Sequence, residues 1–218
     1  MGRRTRTSSL GRRRAWLVAS AVALTGASGI SAAHASESAP SASRPDFDAN
    51  GSNDLVVGVP KDSSSRGSVT LLPGSASGPD AAARKTLTQC SPGLPGANET
   101  GDRCGASTAT GDSDGDGRLD LLIGQPHTAE SKAHSGGQVT TVFGRTRVSI
   151  ELGLDETTAH TIHQDSPDVA DVPDVVEAGD AMGSAVTVAD FNHDGNLDGL
   201  TGLPGEDTTP TVPTSARP

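Results

Sequence analysis

The chain has 218 residues, of which 33% are hydrophobic and 2% aromatic, and its formal net charge is −10. All 27 Asp and Glu residues follow residue 35, whereas six of the 17 Lys and Arg residues precede it. A phosphate backbone is bound through a basic face, so this chain is not expected to bind nucleic acid. The 27 Gly and 14 Pro residues argue against long helices and favour short strands joined by turns.

The first 35 residues are typical of an export signal. An arginine-rich start leads into the apolar run Ala15–Ile30, and Ala33-His34-Ala35 has the small residues of a cleavage site. We predict a signal peptide at residues 1–35 that is cleaved near Ala35, and therefore a secreted, extracellular chain. The sequence leaves open whether export uses the Sec or the twin-arginine route. No later segment has the length and apolarity of a membrane span, so none is expected in the mature chain.

A nine-residue acidic pattern occurs three times, beginning at Asp46, Asp112 and Asp190. Each copy reads Asp-x-Asx-x-Asx-Gly-x-x-Asp, where Asx is Asp or Asn, and runs into an apolar stretch closed by Gly-x-Pro. Short aliphatic runs bounded by Gly and Pro are typical of strands buried on both faces. The three stretches are Leu55–Pro60, Leu121–Pro126 and Gly199–Pro204. Further strands are predicted at Gly67–Leu72, Gly137–Phe143 and Ser184–Ala189.

This spacing divides the chain into a repeated region and two flanking segments. The repeats are predicted to span residues 46–205 and to form an all-β fold. Residues 36–45 are a Ser/Ala/Pro-rich leader and residues 206–218 a Thr/Pro-rich tail, and neither has a strand pattern. Both flanking segments are therefore predicted to be disordered.

The acidic pattern is typical of a loop that surrounds a cation. Positions 1, 3 and 5 direct side-chain oxygens to one side of a tight turn, and glycine at position 6 allows its sharp backbone. Position 7 offers a backbone carbonyl and position 9 a carboxylate. An all-oxygen donor set favours Ca²⁺ over zinc or copper, and a flexible loop favours it over Mg²⁺. We predict up to three Ca²⁺ sites with these ligands: Asp46, Asp48, Asn50, Ser52, Asp54, Asp112, Asp114, Asp116, Arg118, Asp120, Asp190, Asn192, Asp194, Asn196 and Asp198.

Solvated turns rich in Asp, Asn and Gly are the alternative interpretation of a single copy. Three copies at corresponding places argue against that alternative, because so many carboxylates in three loops would repel one another without a cation. The loops are not EF-hands, since position 12 is Val57, Ile123 or Thr201 rather than Glu.

Two cysteines, Cys90 and Cys104, are present in a chain that is predicted to be exported. Oxidising conditions outside the cell allow a disulfide, and we predict one between them. Two free or buried thiols are the alternative.

The segments around the loops resemble the FG-GAP repeats of the integrin α-subunit N-terminal β-propeller and its bacterial secreted relatives. The resemblance covers residues 46–207 and rests on the segments Asp46–Pro60, Cys104-Gly105-Ala106-Ser107 and Met182-Gly183-Ser184-Ala185-Val186 with the loops that follow. It implies calcium held between the strands of propeller blades, and adhesion or ligand binding. Cys104 and Met182 stand where the family has Phe. The implied fold is a partial, open β-propeller of about 2.5 blades that follows the signal peptide.

Together these features predict a secreted, non-catalytic calcium-binding module. Its expected partner is an extracellular protein or glycan ligand, or the missing propeller blades. The sequence has no nucleophile elbow, phosphate-binding loop or zinc-spaced histidine motif. An accessory propeller fragment of a secreted hydrolase or phospholipase, and an inactive truncated fragment, are the alternatives.

Overall fold

A computed structural model describes residues 16–19, 44–127, 136–145, 151–166 and 176–206. This part of the chain is all-β with almost no helix. The helical elements are α1 (Asp62–Ser65) and a 3-10 helix (Glu151–Gly153). The strands are β1 (Trp16–Ala19), β2 (Leu55–Gly58), β3 (Val69–Leu72), β4 (Lys85–Leu87), β5 (Ser107–Gly111), β6 (Asp120–Gln125), β7 (Gln138–Gly144), β8 (Leu154–Ile162), β9 (Ala185–Ala189) and β10 (Asp198–Gly202).

The strands form three sheets, and none of them closes on itself within the described residues. The first sheet has the order β2-β3-β4, the second β5-β6-β7-β8 and the third β1-β10-β9. Neighbouring strands are antiparallel, except that β1 pairs with β10 in parallel. The predicted all-β class is therefore confirmed, as an open β-sheet fold.

The sheets pack face to face through aliphatic side chains. One core cluster joins the first and second sheets through residues such as Leu71 and Ile123, and another joins the second and third through Leu122 and Leu203. Because the second sheet has a neighbour on each side, all six residues of β6 are buried. The second sheet is thus the middle layer.

The prediction that all three apolar stretches are buried on both faces is wrong for β2. Leu55 and Val57 on this strand are 46% and 38% exposed. Their neighbours Val56 and Gly58 lie on the opposite side, where Val56 packs against the core. Among the described residues, a sheet covers the first sheet on one side alone, which explains the difference from β6.

The predicted signal peptide is described only over β1, which lies along the edge of β10. The rest of residues 1–35, most of the predicted leader and the predicted tail from residue 207 onward lie outside the described residues. None of the helices in the described ranges is sufficiently long and apolar to cross a membrane.

The predicted disulfide is absent from the structure, in which both cysteines are free thiols. Cys104 is buried in the core between the first and second sheets, whereas Cys90 is exposed. Gln125 Nε2 donates a hydrogen bond to Cys104 Sγ at 3.7 Å. The thiol of Cys104 is therefore a core group with its own polar partner, and the prediction of a bridge is wrong here.

Candidate metal centres

The three acidic loops occupy corresponding places in the three sheets. Loop 1 (Asp46–Asp54) leads into β2, loop 2 (Asp112–Asp120) joins β5 to β6, and loop 3 (Asp190–Asp198) joins β9 to β10. Each loop ends where a paired strand begins: loop 1 at β2, loop 2 at β6 and loop 3 at β10. The strand therefore fixes one end of the loop. The sequence pattern therefore appears as one local structure repeated three times.

The carboxylate at position 1 organises each loop by accepting hydrogen bonds from the backbone across it. Asp46 accepts from the N–H groups of Asn50 and Gly51 at 3.0 and 2.9 Å. The corresponding bonds to Asp112 are 3.0 and 2.9 Å, and those to Asp190 are 3.1 and 3.0 Å. Because the same two bonds occur in all three loops, position 1 has a fixed orientation toward the loop interior.

The side chains at positions 3 and 5 are held by turns in which each oxygen accepts from the N–H two residues later. At position 3 the acceptors are Asp48, Asp114 and Asn192, with distances of 3.1, 3.2 and 2.8 Å. At position 5 they are Asn50, Asp116 and Asp194, with distances of 2.7, 3.0 and 2.8 Å. These bonds use one lone pair of each oxygen and leave others for a cation.

The backbone turns sharply at two positions of each loop. The glycines at position 6, Gly51, Gly117 and Gly195, have φ values of 87°, 86° and 88°. No atom lies within 4 Å of a Cβ added at any of them, so the positive φ and not the space selects glycine. The sequence prediction for position 6 is therefore confirmed. Position 4 is also left-handed, which the sequence analysis missed.

The carboxylate at position 9 closes each loop. Asp54 accepts from the N–H of Phe47 and of Gly74, both at 2.7 Å. Asp120 accepts from the N–H of Ser113 and of Gly144, both at 2.8 Å. Asp198 accepts from the N–H of Phe191 at 3.0 Å. Position 9 thus joins the two ends of the loop, and in loops 1 and 2 it also joins the loop to the strand region beyond it.

Two of the loops bring three carboxylates together. In loop 1, one oxygen each of Asp46, Asp48 and Asp54 lies within 4.8 Å of the others. In loop 2 the group consists of Asp112, Asp114 and Asp116. Such groups of hard oxygen donors could hold a metal ion, and their chemistry fits Ca²⁺ better than a metal that prefers nitrogen or sulfur.

Asp120 is not a member of the loop 2 group, although the sequence predicts it as a ligand. Its Oδ2 accepts from both the backbone and the hydroxyl of Ser113, and its Oδ1 accepts from Gly144. Burial raises the pKa of the Asp120 carboxyl, although the bonds from Ser113 and Gly144 oppose this. In this structure Asp120 closes the loop, while its neighbours converge.

Loop 3 has three carboxylates, as loop 1 does, but its position 3 is the amide Asn192. The Asn192 amide donates to Asp194 and to Asp198 at 3.4 Å each, while its Oδ1 accepts from the backbone of Asp194. Hydrogen bonds from Asn196 lower the pKa of Asp194. The loop has the same backbone scaffold as the other two, with an amide in place of the carboxylate at position 3.

Arg145 supplies a positive charge to loop 2. Its Nη1 donates to Asp114 Oδ2 at 3.2 Å and to Asp116 Oδ2 at 3.1 Å. Its Cζ lies 5.5 Å from the centroid of the Phe143 ring, a cation–π distance. The guanidinium partly neutralises two of the three converging carboxylates, so it stabilises the loop and would compete with a bound cation.

Loop 1 has an uncharged counterpart of this contact. Asn50 Nδ2 donates to Asp48 Oδ2 and to the carbonyl of Gly74, both at 3.0 Å. Burial raises the pKa of Asp54, the charges of Asp48 and Asp46 add to this, and the bonds from Gly74 and Phe47 oppose it. At Asp48 the Asn50 amide thus occupies a place like that of the Arg145 guanidinium at Asp114, without its positive charge.

Three residues that contact the loops were not predicted from the sequence: Gly74, Gly144 and Arg145. A Cβ at Gly74 would lie 2.1 Å from the carbonyl oxygen of Asn53, and one at Gly144 would lie 2.4 Å from that of Leu119. Both glycines allow the neighbouring strand region to approach position 8 of a loop. Gly74 follows β3 and Gly144 ends β7, and these corresponding positions in the repeat are a signal that could have identified both glycines. Arg145 has no equivalent arginine after β3, so the repeat pattern gives no such signal for it.

No protein-family model matches this chain, and no curated protein matches it significantly.

Proposed function

We propose that this chain is a secreted calcium-binding protein of the FG-GAP type, whose stacked sheets are blades of an incomplete β-propeller. In this proposal it acts as a non-catalytic adhesion or ligand-binding module. Its partner is an extracellular protein or a glycan. The export signal, the loops and the family resemblance of the sequence support this class of function.

The convergence of carboxylates in loops 1 and 2 is the observation that carries the proposal. Each group is held by backbone hydrogen bonds that recur in all three loops, so the oxygens are positioned before any ion binds. Like charges this close repel one another, and a divalent cation offsets that repulsion. Calcium would therefore be bound by carboxylates at positions 1, 3 and 9 in loop 1 and at positions 1, 3 and 5 in loop 2.

Calcium would act on this fold as a structural element. The loops connect paired strands, and the core contains few aromatic side chains to stabilise it otherwise. An ion would tie the residues before a strand to the strand itself, as the position 9 carboxylate already does through hydrogen bonds. Extracellular calcium is abundant enough to fill sites of the modest affinity that such modules have.

A binding survey tests the proposed function. The purified chain is applied to arrays of extracellular matrix proteins and of glycans, in calcium and again with a chelator. We expect binding to a subset of spots in calcium that is lost with the chelator, and lost in the Asp46→Asn and Asp112→Asn variants. Arg44→Gln, which changes a charge beside loop 1 without changing a ligand, serves as the control. Binding that is the same with calcium and with chelator, and the same in the loop variants, would contradict the proposal.

A further inference from the structure

Successive sheets of this chain meet through the same backbone contacts twice. A Cβ at Gly58 on β2 would lie 2.1 Å from the carbonyl oxygen of Gly105, and one at Gly124 on β6 would lie 2.0 Å from that of Gly183. The backbone bridge from Gly67 to Cys104 is likewise repeated by one from Gly137 to Met182. The interface between the first and second sheets therefore recurs between the second and third.

One side of this interface lies uncovered on the first sheet. We call Leu55, Val57 and Val59 the first-sheet face; they are 46%, 38% and 38% exposed. The residues at the same positions of the second sheet are each 0% exposed, because the first sheet covers them: Leu121, Ile123 and Gln125. The first-sheet face is thus exposed because no sheet in the described part of the chain covers it.

The other side of the interface lies uncovered on the third sheet. We call Phe191, Leu200 and Gly202 the last-sheet face. Phe191 is 40% exposed, whereas Phe47 at the same place in loop 1 is 5% exposed and packs in the core shared with the second sheet. At Gly202 the nearest atom to an added Cβ is 3.7 Å away, although the equivalent Gly58 and Gly124 are both in close contact with the next sheet.

We propose that the last-sheet face of one copy of this chain docks on the first-sheet face of a second copy. The two faces are the two halves of an interface that the chain already makes twice, so docking continues an existing packing arrangement. Gly202 would regain the close backbone approach that selects glycine at Gly58 and Gly124. Because the two faces differ, the contact is head-to-tail and leads to an open chain or a closed ring of copies.

The contact between the faces needs no bridging calcium ion, because the faces consist of aliphatic, aromatic and glycine residues. Each face exposes a few side chains, which is typical of a weak contact that forms as the concentration rises. Burial of Leu55, Val57 and Phe191 away from water supplies the driving force. A charged residue buried on either face would oppose it.

Sedimentation velocity of the full chain over a range of concentrations tests this proposal, both in calcium and with a chelator. We expect the mean mass to rise with concentration in both solutions. Val57→Lys blocks the first-sheet face, Gly202→Leu blocks the last-sheet face, and each should weaken association at least about tenfold, which corresponds to about 1.4 kcal/mol. Mixed together, the two variants should form dimers, since each retains the face that the other lacks.

Ala83→Lys, an exposed position away from both faces, is the control for added charge, and circular dichroism melts verify that each variant folds. Val59→Lys and Phe191→Ser replace any variant that does not fold. A chain that stays monomeric at all concentrations would overturn the proposal. Association blocked by Val57→Lys but unaffected by Gly202→Leu and Phe191→Ser would also overturn it, because the first-sheet faces would then pair with each other or with another surface.

Discussion

Ala49 and His193 adopt a left-handed backbone at position 4 of their loops, with φ values of 54° and 60°. Loop 2 has Gly115 at this position, with φ at 73°. A residue with a Cβ in this conformation costs about 1–2 kcal/mol, which glycine avoids. The loops therefore contain local strain that the sequence pattern, with its variable position 4, did not reveal.

Substitutions at positions 4 and 6 of loop 1 should have opposite effects on stability. Ala49→Gly should raise the free energy of unfolding by ~0.5 kcal/mol, since relief of strain exceeds the entropy that glycine gains on unfolding. Gly51→Ala should lower it by ~1 kcal/mol, because alanine disfavours a φ of 87°. Urea denaturation of the metal-free protein measures both. Equal effects of the two substitutions, in either direction, would contradict this description of the loop.

The two cysteines should differ sharply in reactivity. Burial raises the pKa of the Cys104 thiol to about 12, and the hydrogen bond from Gln125 opposes this. The thiol therefore stays protonated and unreactive at neutral pH. A thiol reagent should label one cysteine, Cys90, in the folded protein and two in urea. Labelling of neither cysteine under both conditions would demonstrate the disulfide that the structure lacks.

Removal of the Arg145 charge should strengthen calcium binding at loop 2. The guanidinium contacts Asp114 and Asp116, and partly exposed ion pairs of this kind contribute up to ~1 kcal/mol. Arg145→Gln should therefore raise the affinity of that loop about fivefold. Calorimetric titration with calcium measures the affinity in both proteins. Arg118→Gln removes an equal charge without removing these bonds, and it should have a smaller effect; an identical effect would argue against direct competition.

At the scale of a loop and its strand, the carboxylate at position 9 stabilises the fold before any ion binds. Asp120→Ala should cost about 2–3 kcal/mol in calcium-free solution, because the half-buried N–H of Ser113 and the buried N–H of Gly144 lose their acceptor. Asp116→Ala, at the exposed position 5, should cost only about 0.5 kcal/mol. Chemical denaturation with chelator present compares the two. Equal costs would mean that Asp120 does not close the loop.

Strands that follow the acidic loops could be predicted from the sequence because their signals are local. The six predicted strands appear as β2, β3, β6, β7, β9 and β10, with small changes at their ends. Four strands were not predicted: β1, which lies within the predicted signal peptide, and β4, β5 and β8. The last three contain Thr and few large apolar residues, and β8 is defined by pairing with β7 rather than by an apolar pattern.

The difference between local signals and contacts of distant residues also explains which parts of the candidate site were predicted. Nine consecutive residues carry the predicted ligands, and their spacing indicated that carboxylates of loops 1 and 2 converge. It did not indicate that position 9 joins the group in loop 1 and position 5 in loop 2. Arg145 and Gly144 reach loop 2 through the pairing of β6 with β7, which no spacing within the loop encodes. The exposure of β2 also depends on what covers the first sheet, and its aliphatic sequence carries no sign of that.

For the whole molecule, the stacked sheets explain how an acidic chain with few aromatic residues forms a core. Leu, Val and Ile from both faces of the second sheet fill the two layers between sheets. Ten of the 27 acidic residues lie in the three loops at the ends of strands, outside these layers. Cation binding would therefore relieve repulsion without disturbing the aliphatic core.

Calcium titration of the purified chain by calorimetry, with circular dichroism recorded in parallel, tests the calcium proposal most directly. We expect up to three sites with dissociation constants of ~0.1–1 mM. Loops 1 and 2 should fill before loop 3, β-structure should increase, and Asp46→Asn and Asp112→Asn should each remove one site. Neither heat nor spectral change at calcium concentrations well above that range would contradict calcium binding by these loops.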